Sequence, residues 1–513
     1  MKKALAATLV LFCLAPLCLA IVNVGDKPVL SFHAAAQQNA AADAGAMINT
    51  VTTAMGTAKL RSVQYTGTGS VNPTGQAYTT GGPWPRYTVT KYTMSIDYSL
   101  PAMRQELVRI DDARPPRGGG AGGYNPQTFQ GGIRPIPGDI IQNNTINART
   151  NENAMIQFLL TPHGFLKGIA ANMATAKTGT VRGKKTLSFM AFGKFPITAT
   201  LDDRNLIEKV EAMVDIGFTG DTVLDGTYTE YRDLDGIRFP MHIVMREGGF
   251  PTLEVAVAQV RPNSPDATDT VARAASAAAA APVAAAGPRT EPEPVKLADG
   301  VWQLTPNGEG SILVEFNDYV VMVEAPGGDA VTAASIASAR RLAPNKPIKY
   351  AINTHHHADH AGGMRAYVAE GIPIITHESH RKYYEEQIFR NPHSLNPDRL
   401  ARMPRAPMLE FVKDKRVITD GNQTLELHLM KDQPHSEGLL MVYLPKSKLL
   451  IQSDAYIPRP GAPPLPAPSP YTTNLVDNIS RLKLDVARIV HVHGGSSPYS
   501  DVLAAAGRPV STN

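Results

Sequence analysis

Asn353-Thr354-His355-His356-His357-Ala358-Asp359-His360-Ala361-Gly362-Gly363 decides how the second half of the chain is read. It follows the apolar run Ile348-Lys349-Tyr350-Ala351-Ile352, which reads as a strand, and precedes a stretch with helical spacing over 364–370. In extended backbone, residues two apart share a side. His355 and His357 therefore face one way and His356 the other. Asp359 and His360 fall where the chain turns into the helix and can aim back at the same point. Neutral imidazoles converging with a carboxylate suit a borderline ion such as zinc. The two glycines allow the helix start to pack tightly beneath the loop.

A histidine-rich surface loop that scavenges metal is the bland alternative, and three downstream signals argue against it. His435 lies in Pro434-His435-Ser436-Glu437-Gly438, just ahead of the apolar run 439–444. Asp454 ends the run 448–454, and His493 ends 488–493 before Gly494-Gly495. Strand ends along one sheet edge are where sites assemble in layered α/β folds.

This ordered set, His-x-His-x-Asp-His followed by a lone His before a strand, an Asp after one and a final His-Gly, resembles the metallo-β-lactamase superfamily over roughly residues 296–513. The resemblance implies an αβ/βα sandwich of two mixed sheets and a hydrolase with two zinc ions per chain. By the same resemblance His355, His357 and His435 would hold the first ion. Asp359, His360 and His493 would hold the second, with Asp454 bridging. The implied nucleophile is a hydroxide between the ions, and Asp359 would relay a proton to the leaving group. Glu324-Ala325-Pro326 departs from the Asp-(Thr)-Gly many relatives carry after the corresponding strand. That departure puts one outer hydrogen bond in doubt, not the ligands.

Other histidines compete for notice. His491 shares a strand face with His493, but His493 is nearer the strand end and carries the His-Gly pattern. His356 is expected outside the ligand set, and His377 and His380 read as loop-packing or surface residues. His163 and His242 read as hydrogen-bonded structural histidines, and Tyr456 as packing.

At 513 residues the chain is long enough for two or more domains. Its 42 Gly and 41 Pro argue for many turns. Met1-Lys2-Lys3 and the apolar run 4–20 read as a signal peptide, with a retained anchor the alternative; the run is short for a bilayer span. Removing Lys2 and Lys3 leaves 48 basic against 46 acidic residues, a net +2, with no basic block to suggest nucleic acid. Both cysteines, Cys13 and Cys18, lie in this leader, so the mature chain has no thiolate for a metal. A periplasmic or secreted location and a small-molecule substrate follow, with no integral membrane span once the leader is gone.

Residues 21–42 are Ala- and Gln-rich and are expected to be disordered. An α+β region built on antiparallel sheet is expected over 43–262. It opens with a helix over 43–59 whose Met47, Ile48, Val51 and Met55 share a face. Alternation at Tyr92, Met94, Ile96 and Tyr98, and again at Phe239, Met241, Ile243 and Met245, marks half-buried strands. Residues 114–138 are dominated by Gly, Pro and Arg and read as a loop. Residues 263–295 read as an Ala/Pro-rich linker without an apolar face, so 296–513 is expected to fold by itself.

The reaction class implied is an exported zinc hydrolase acting on an ester, lactone, amide or thioester. The alternatives are β-lactamase activity and a metal-binding capture protein without turnover. Asp454 at the bridging position argues against the secreted β-lactamases, which usually lack an acid there. Iron or manganese in place of zinc stays open from sequence.

Overall fold

The computed structural model describes residues 13–14, 17–18, 31–110, 117–119, 139–147, 152–280, 293–304, 310–458 and 468–510. Most of residues 1–20, expected to be a leader, most of residues 114–138, expected to be a loop, and the segment 281–292 lie outside these. Among the described residues no helix is long and apolar enough to cross a membrane.

The N-terminal half is one antiparallel sheet of eleven strands. From one edge it runs Asp139–Asn147, Ala102–Ile110, Tyr87–Asp97, Ser62–Val71 and Phe250–Pro262. It continues through His242–Glu247, Gly220–Thr229, Ile207–Ile216, Phe195–Leu201, Lys184–Ala191 and Lys177–Val181. The inward residues of the alternating runs, Tyr92, Met94, Ile96, Phe239 and Ile243, are buried. Helices Ser31–Met55, Glu152–Leu160 and Pro162–Ala171 add Ile48, Val51, Met55, Ile156 and Phe165 to the same core. This is the expected α+β architecture.

Two local expectations differ. The first helix starts at Ser31, inside the stretch expected to be disordered. Ala and Gln are strong helix formers, and the sheet-packed turns downstream let the helix extend backwards. Residues Pro265–Ala280, read as linker, form a helix that packs on Ser62–Val71, Tyr87–Asp97 and Ala102–Ile110. Ala267 and Val271 are four apart and both 0% exposed. Two small residues make a face that periodicity counting overlooks.

The C-terminal half is a sandwich of two sheets. Val295–Ala298, Val301–Gln303, Ile312–Glu315, Val320–Val323, Ile348–Ile352, Ile374–His377 and Leu409–Val412 form the first. Lys415–Thr419, Thr424–Leu429, Leu440–Leu444, Leu449–Gln452, Arg488–His491 and Ser496–Pro498 form the second. Parallel pairing is confined to the last three ladders of the first sheet and to Leu449–Gln452 with Arg488–His491. Val314, Val321, Val323, Ile352 and Ile375 meet Leu427, Val442, Ile451 and Val490 between the sheets. Helices Asp329–Leu342 and Met364–Ala369 cover one outer face, and Pro470–Arg481 the other.

The two halves are docked. Phe218 from the N-terminal half is buried in the outer core of the first C-terminal sheet. Asp221 accepts from the backbone N–H of Ser394 and Leu395, and Asn391 donates to the Thr219 carbonyl at 2.7 Å. His393 faces Asp215 at 2.9 Å.

His163, expected to be structural, is fully buried, with Nδ1 2.9 Å from Thr57 Oγ1 and Nε2 3.0 Å from the Arg238 carbonyl. Burial pushes this imidazole down from 6.5 to about 4. The folded state therefore refuses a proton that the unfolded chain accepts below its own pKa. Its stabilising contribution is complete above pH 6.5 and is lost as pH falls toward 4, at about 1.4 kcal/mol per pH unit. In denaturant titrations, His163→Gln is expected to flatten the pH dependence of the N-terminal transition across that window. Parallel wild-type and variant curves from pH 7 to 4 would show that His163 does not carry it.

Candidate metal centre

Backbone geometry brings the histidine loop to one end of the sandwich. It leaves the strand Ile348–Ile352, reaches His357 in extended backbone, then enters the short helix Ala358–Ala361. A Cβ on Gly363 would lie 1.8 Å from Thr332 Oγ1 and 2.9 Å from the Gly328 carbonyl, so only glycine admits this approach. Asn353 holds the loop, donating to the His360 carbonyl at 3.3 Å and accepting from the Tyr384 hydroxyl at 2.6 Å. His435 precedes the strand Leu440–Leu444, Asp454 lies two residues past Leu449–Gln452, and His493 two past Arg488–His491.

The seven residues of the expected ligand set come together in two groups that share Asp454. His355, His357, His435 and Asp454 form one, and Asp359, His360, Asp454 and His493 the other. The ligand-type atoms of each group lie within 4.8 Å of one another. The Asp454 carboxylate is divided between them. Its Oδ2 is 3.2 Å from His435 Nε2, while its Oδ1 is 2.8 Å from His360 Nε2 and 2.9 Å from His493 Nε2. Asp359 Oδ2 stands 3.6 Å from the Nε2 atoms of His360 and His493.

Donor chemistry tests whether a cation fits. His355 and His435 point Nε2 at Nε2 across 2.9 Å, as do His360 and His493. Two ring nitrogens so placed repel unless a proton or cation lies between them. His357 Nδ1 is buried with no hydrogen-bond partner in the same group. Burial would raise Asp454, but His360, His493 and His435 hold its carboxyl well below the usual range. Burial would depress His360, yet Asp454, Asp359 and Glu324 raise it well above its ordinary value. A buried cluster of this kind fits divalent cations.

Outer contacts fix which nitrogen faces inward in four of the rings. His355 Nδ1 meets Thr354 Oγ1 at 3.1 Å, leaving Nε2 inward. His360 Nδ1 lies 3.3 Å from Glu324 Oε2. Glu324 was read as a departure that endangered such a contact. Here it supplies a charge contact to the ring, and its Oε1 accepts from the Thr354 N–H at 3.1 Å. Its longer side chain reaches from a left-handed backbone (φ 74°), a conformation that costs a non-glycine residue about 1–2 kcal/mol.

Two further contacts had no sequence signal. His357 Nε2 lies 2.8 Å from the Ala77 carbonyl, and His435 Nδ1 lies 2.6 Å from the Gly119 carbonyl. Both acceptors belong to the N-terminal half. Gln76 Nε2 donates to Asp359 Oδ1 at 3.0 Å.

The remaining histidines stay outside both groups. His491 bonds Gln452 Nε2 and Ser497 Oγ at 2.9 and 2.7 Å. His356 turns to Ser436 Oγ at 3.3 Å and packs by His380 and Tyr383. His377 and His380 bond the carbonyls of Lys413 and Glu437, holding loops together from buried positions. His242 pairs with Glu254 at 3.0 Å, and the Tyr456 ring lies 5.2 Å from that of His491.

Residues 305–493 match the family model of the Metallo-beta-lactamase superfamily. No curated protein matches the chain. Among solved structures, a metallo-beta-lactamase from Pontibacter korlensis is similar at 20% identity, over 42% of this chain and 97% of that one, with a TM-score of 0.32. One from Hirschia baltica is 24% identical over 43% and 99%, with a TM-score of 0.30. Rubredoxin oxygen:oxidoreductase from Desulfovibrio gigas is 16% identical over 42% and 60%, with a TM-score of 0.32.

Glu324→Ala strands the buried Thr354 N–H, a loss of about 1–3 kcal/mol, and frees the His360 ring. Zinc affinity of the group containing His360 is expected to fall about 10–100-fold, read by competition with a chromogenic chelator. Wild-type affinity at both groups would show that Glu324 orients nothing.

Proposed function

We propose that this protein is an exported, zinc-dependent hydrolase that acts on the carbonyl of an ester, lactone, amide or thioester, with two zinc ions per chain. The observation that carries the reading is the Asp454 carboxylate, whose Oδ2 faces the His435 nitrogen of one group while its Oδ1 faces the His360 and His493 nitrogens of the other. His355, His357 and His435 would hold one ion, Asp359, His360 and His493 the other, and Asp454 would touch both. When bound, such ions supply a water of lowered pKa and positive charge facing the substrate oxygen.

The chain's own residues do the rest. Thr354, Glu324 and the Ala77 and Gly119 carbonyls hold four imidazoles in single orientations, so little reorganisation accompanies the reaction. Asp359 presents Oδ2 to the second group while Gln76 holds Oδ1. It is also the more exposed carboxylate, at 28% against 3% for Asp454. That suits it to pass a proton toward a leaving group. Export is supported by the basic start and apolar run 1–20. The expected partner is therefore a small molecule met outside the cytoplasm.

The test is elemental analysis of protein expressed without residues 1–20, joined to a panel of esters, lactones, amides, thioesters and β-lactams. Two zincs with turnover of a carbonyl substrate support the reading. Preferential turnover of β-lactams would make it a β-lactamase instead, and full occupancy with no turnover anywhere would favour a capture protein.

Asp454→Ala is expected to lose zinc and about a thousandfold in turnover, roughly 4 kcal/mol in barrier. His491→Ala should keep both zincs and most activity. Loss of metal in His491→Ala but not in His493→Ala would overturn the assignment on the last strand.

A further inference from the structure

The segments 75–78 and 117–119 lie in the N-terminal half, far in sequence from the ligand loops, yet they touch two of them and the helix Pro470–Arg481. Gln76 bonds Asp359 through its side chain. The Ala77 carbonyl faces His357 Nε2, and the Tyr78 carbonyl accepts from Glu437 N–H at 2.8 Å. Gly118 donates to the Pro434 carbonyl at 2.9 Å and accepts from the Tyr471 hydroxyl at 3.1 Å. The Gly119 carbonyl faces His435 Nδ1. The two segments are tied to each other by Gly119 N–H on the Gln76 carbonyl at 2.9 Å.

A carbonyl can only accept, so each of these imidazoles must present N–H to it. His357 is thereby held with Nδ1 free and His435 with Nε2 free, the atoms aimed into the first group. Of its three histidines, two have their tautomer and ring plane set by the N-terminal half. We propose that residues 75–78 and 117–119 complete the metal centre, Gln76 positioning Asp359 and the Ala77 and Gly119 carbonyls positioning His357 and His435. The centre is then whole only when the two halves are docked, and 296–513 alone would lack three of its outer contacts. This rests on the metal-binding reading above.

Gly75 offers a handle. It has φ +72° and its Cβ position lies 3.3 Å from Ala358 Cβ, so Gly75→Val wedges the segment off the histidine loop. Gly81 shares the left-handed backbone (φ +68°) but has nothing within 4 Å, so Gly81→Val repeats the strain without the wedge. Gln76→Ala removes one side-chain bond and little else. Each full-length variant is checked by circular dichroism, then titrated with zinc against a chelator.

Outer-contact loss typically costs 10–100-fold in metal affinity. The expected result is a fall of about tenfold or more for one zinc in Gln76→Ala and for both in Gly75→Val, with Gly81→Val like wild type. Folded Gly75→Val and Gln76→Ala proteins that bind both zincs as wild type does would overturn the proposal and leave the metal reading intact. Should Gly75→Val not fold, Gln76→Ala decides alone: unchanged affinity for both zincs overturns the proposal. A wild type that takes up no zinc would overturn the metal reading itself.

Discussion

A single buried carboxylate, Asp454, is shared between two groups of imidazoles, and the architecture around it answers to that constraint. Removing a charged carboxylate and the four fully buried imidazoles of His355, His357, His360 and His435 from water is costly unless each finds a partner. The sandwich supplies partners from strand ends and the loops beyond them, which lie close together only because both sheets end on the same side. Without cations the balance depends on protons: His360 and His493 are driven up and Asp454 down. Divalent ions would supply the same positive charge at fixed positions.

Orientation is the second requirement. Six imidazole–imidazole contacts have ring centroids within 4.9 Å. Such a cluster has many tautomers of similar energy unless the far nitrogens are committed. Thr354, Glu324 and two carbonyls from the N-terminal half commit four of them. The large antiparallel sheet is thus more than a neighbour of the C-terminal domain, since its connecting segments reach the ligand loops directly. A second contact at Asp221 and Ser394 holds the halves together away from the centre.

The convergence of these seven residues was legible because each sits at a fixed offset from an apolar run, and strand ends converge in this kind of fold. The sandwich and the antiparallel sheet were legible for the same reason, through alternation at residues such as Tyr92, Met94 and Ile96. The contact of Glu324 with His360 was not legible because a motif compares residue types, whereas the structure uses a longer side chain from a left-handed backbone to come within 3.3 Å of the ring. The helix Pro265–Ala280 was missed because Ala267 and Val271 make too small an apolar face to register as a period. Gln76, Ala77 and Gly119 were invisible for a deeper reason. Two of them act through backbone carbonyls, which every residue owns, and no spacing rule joins positions 280 to 316 residues apart.

The central claim is a two-ion centre divided by Asp454. Anomalous diffraction at the zinc edge from crystals of the zinc-loaded full chain tests it most directly. The expected result is two peaks on opposite sides of the Asp454 carboxylate, one among His355, His357 and His435 and the other among Asp359, His360 and His493. A single peak, or peaks away from Asp454, would contradict it.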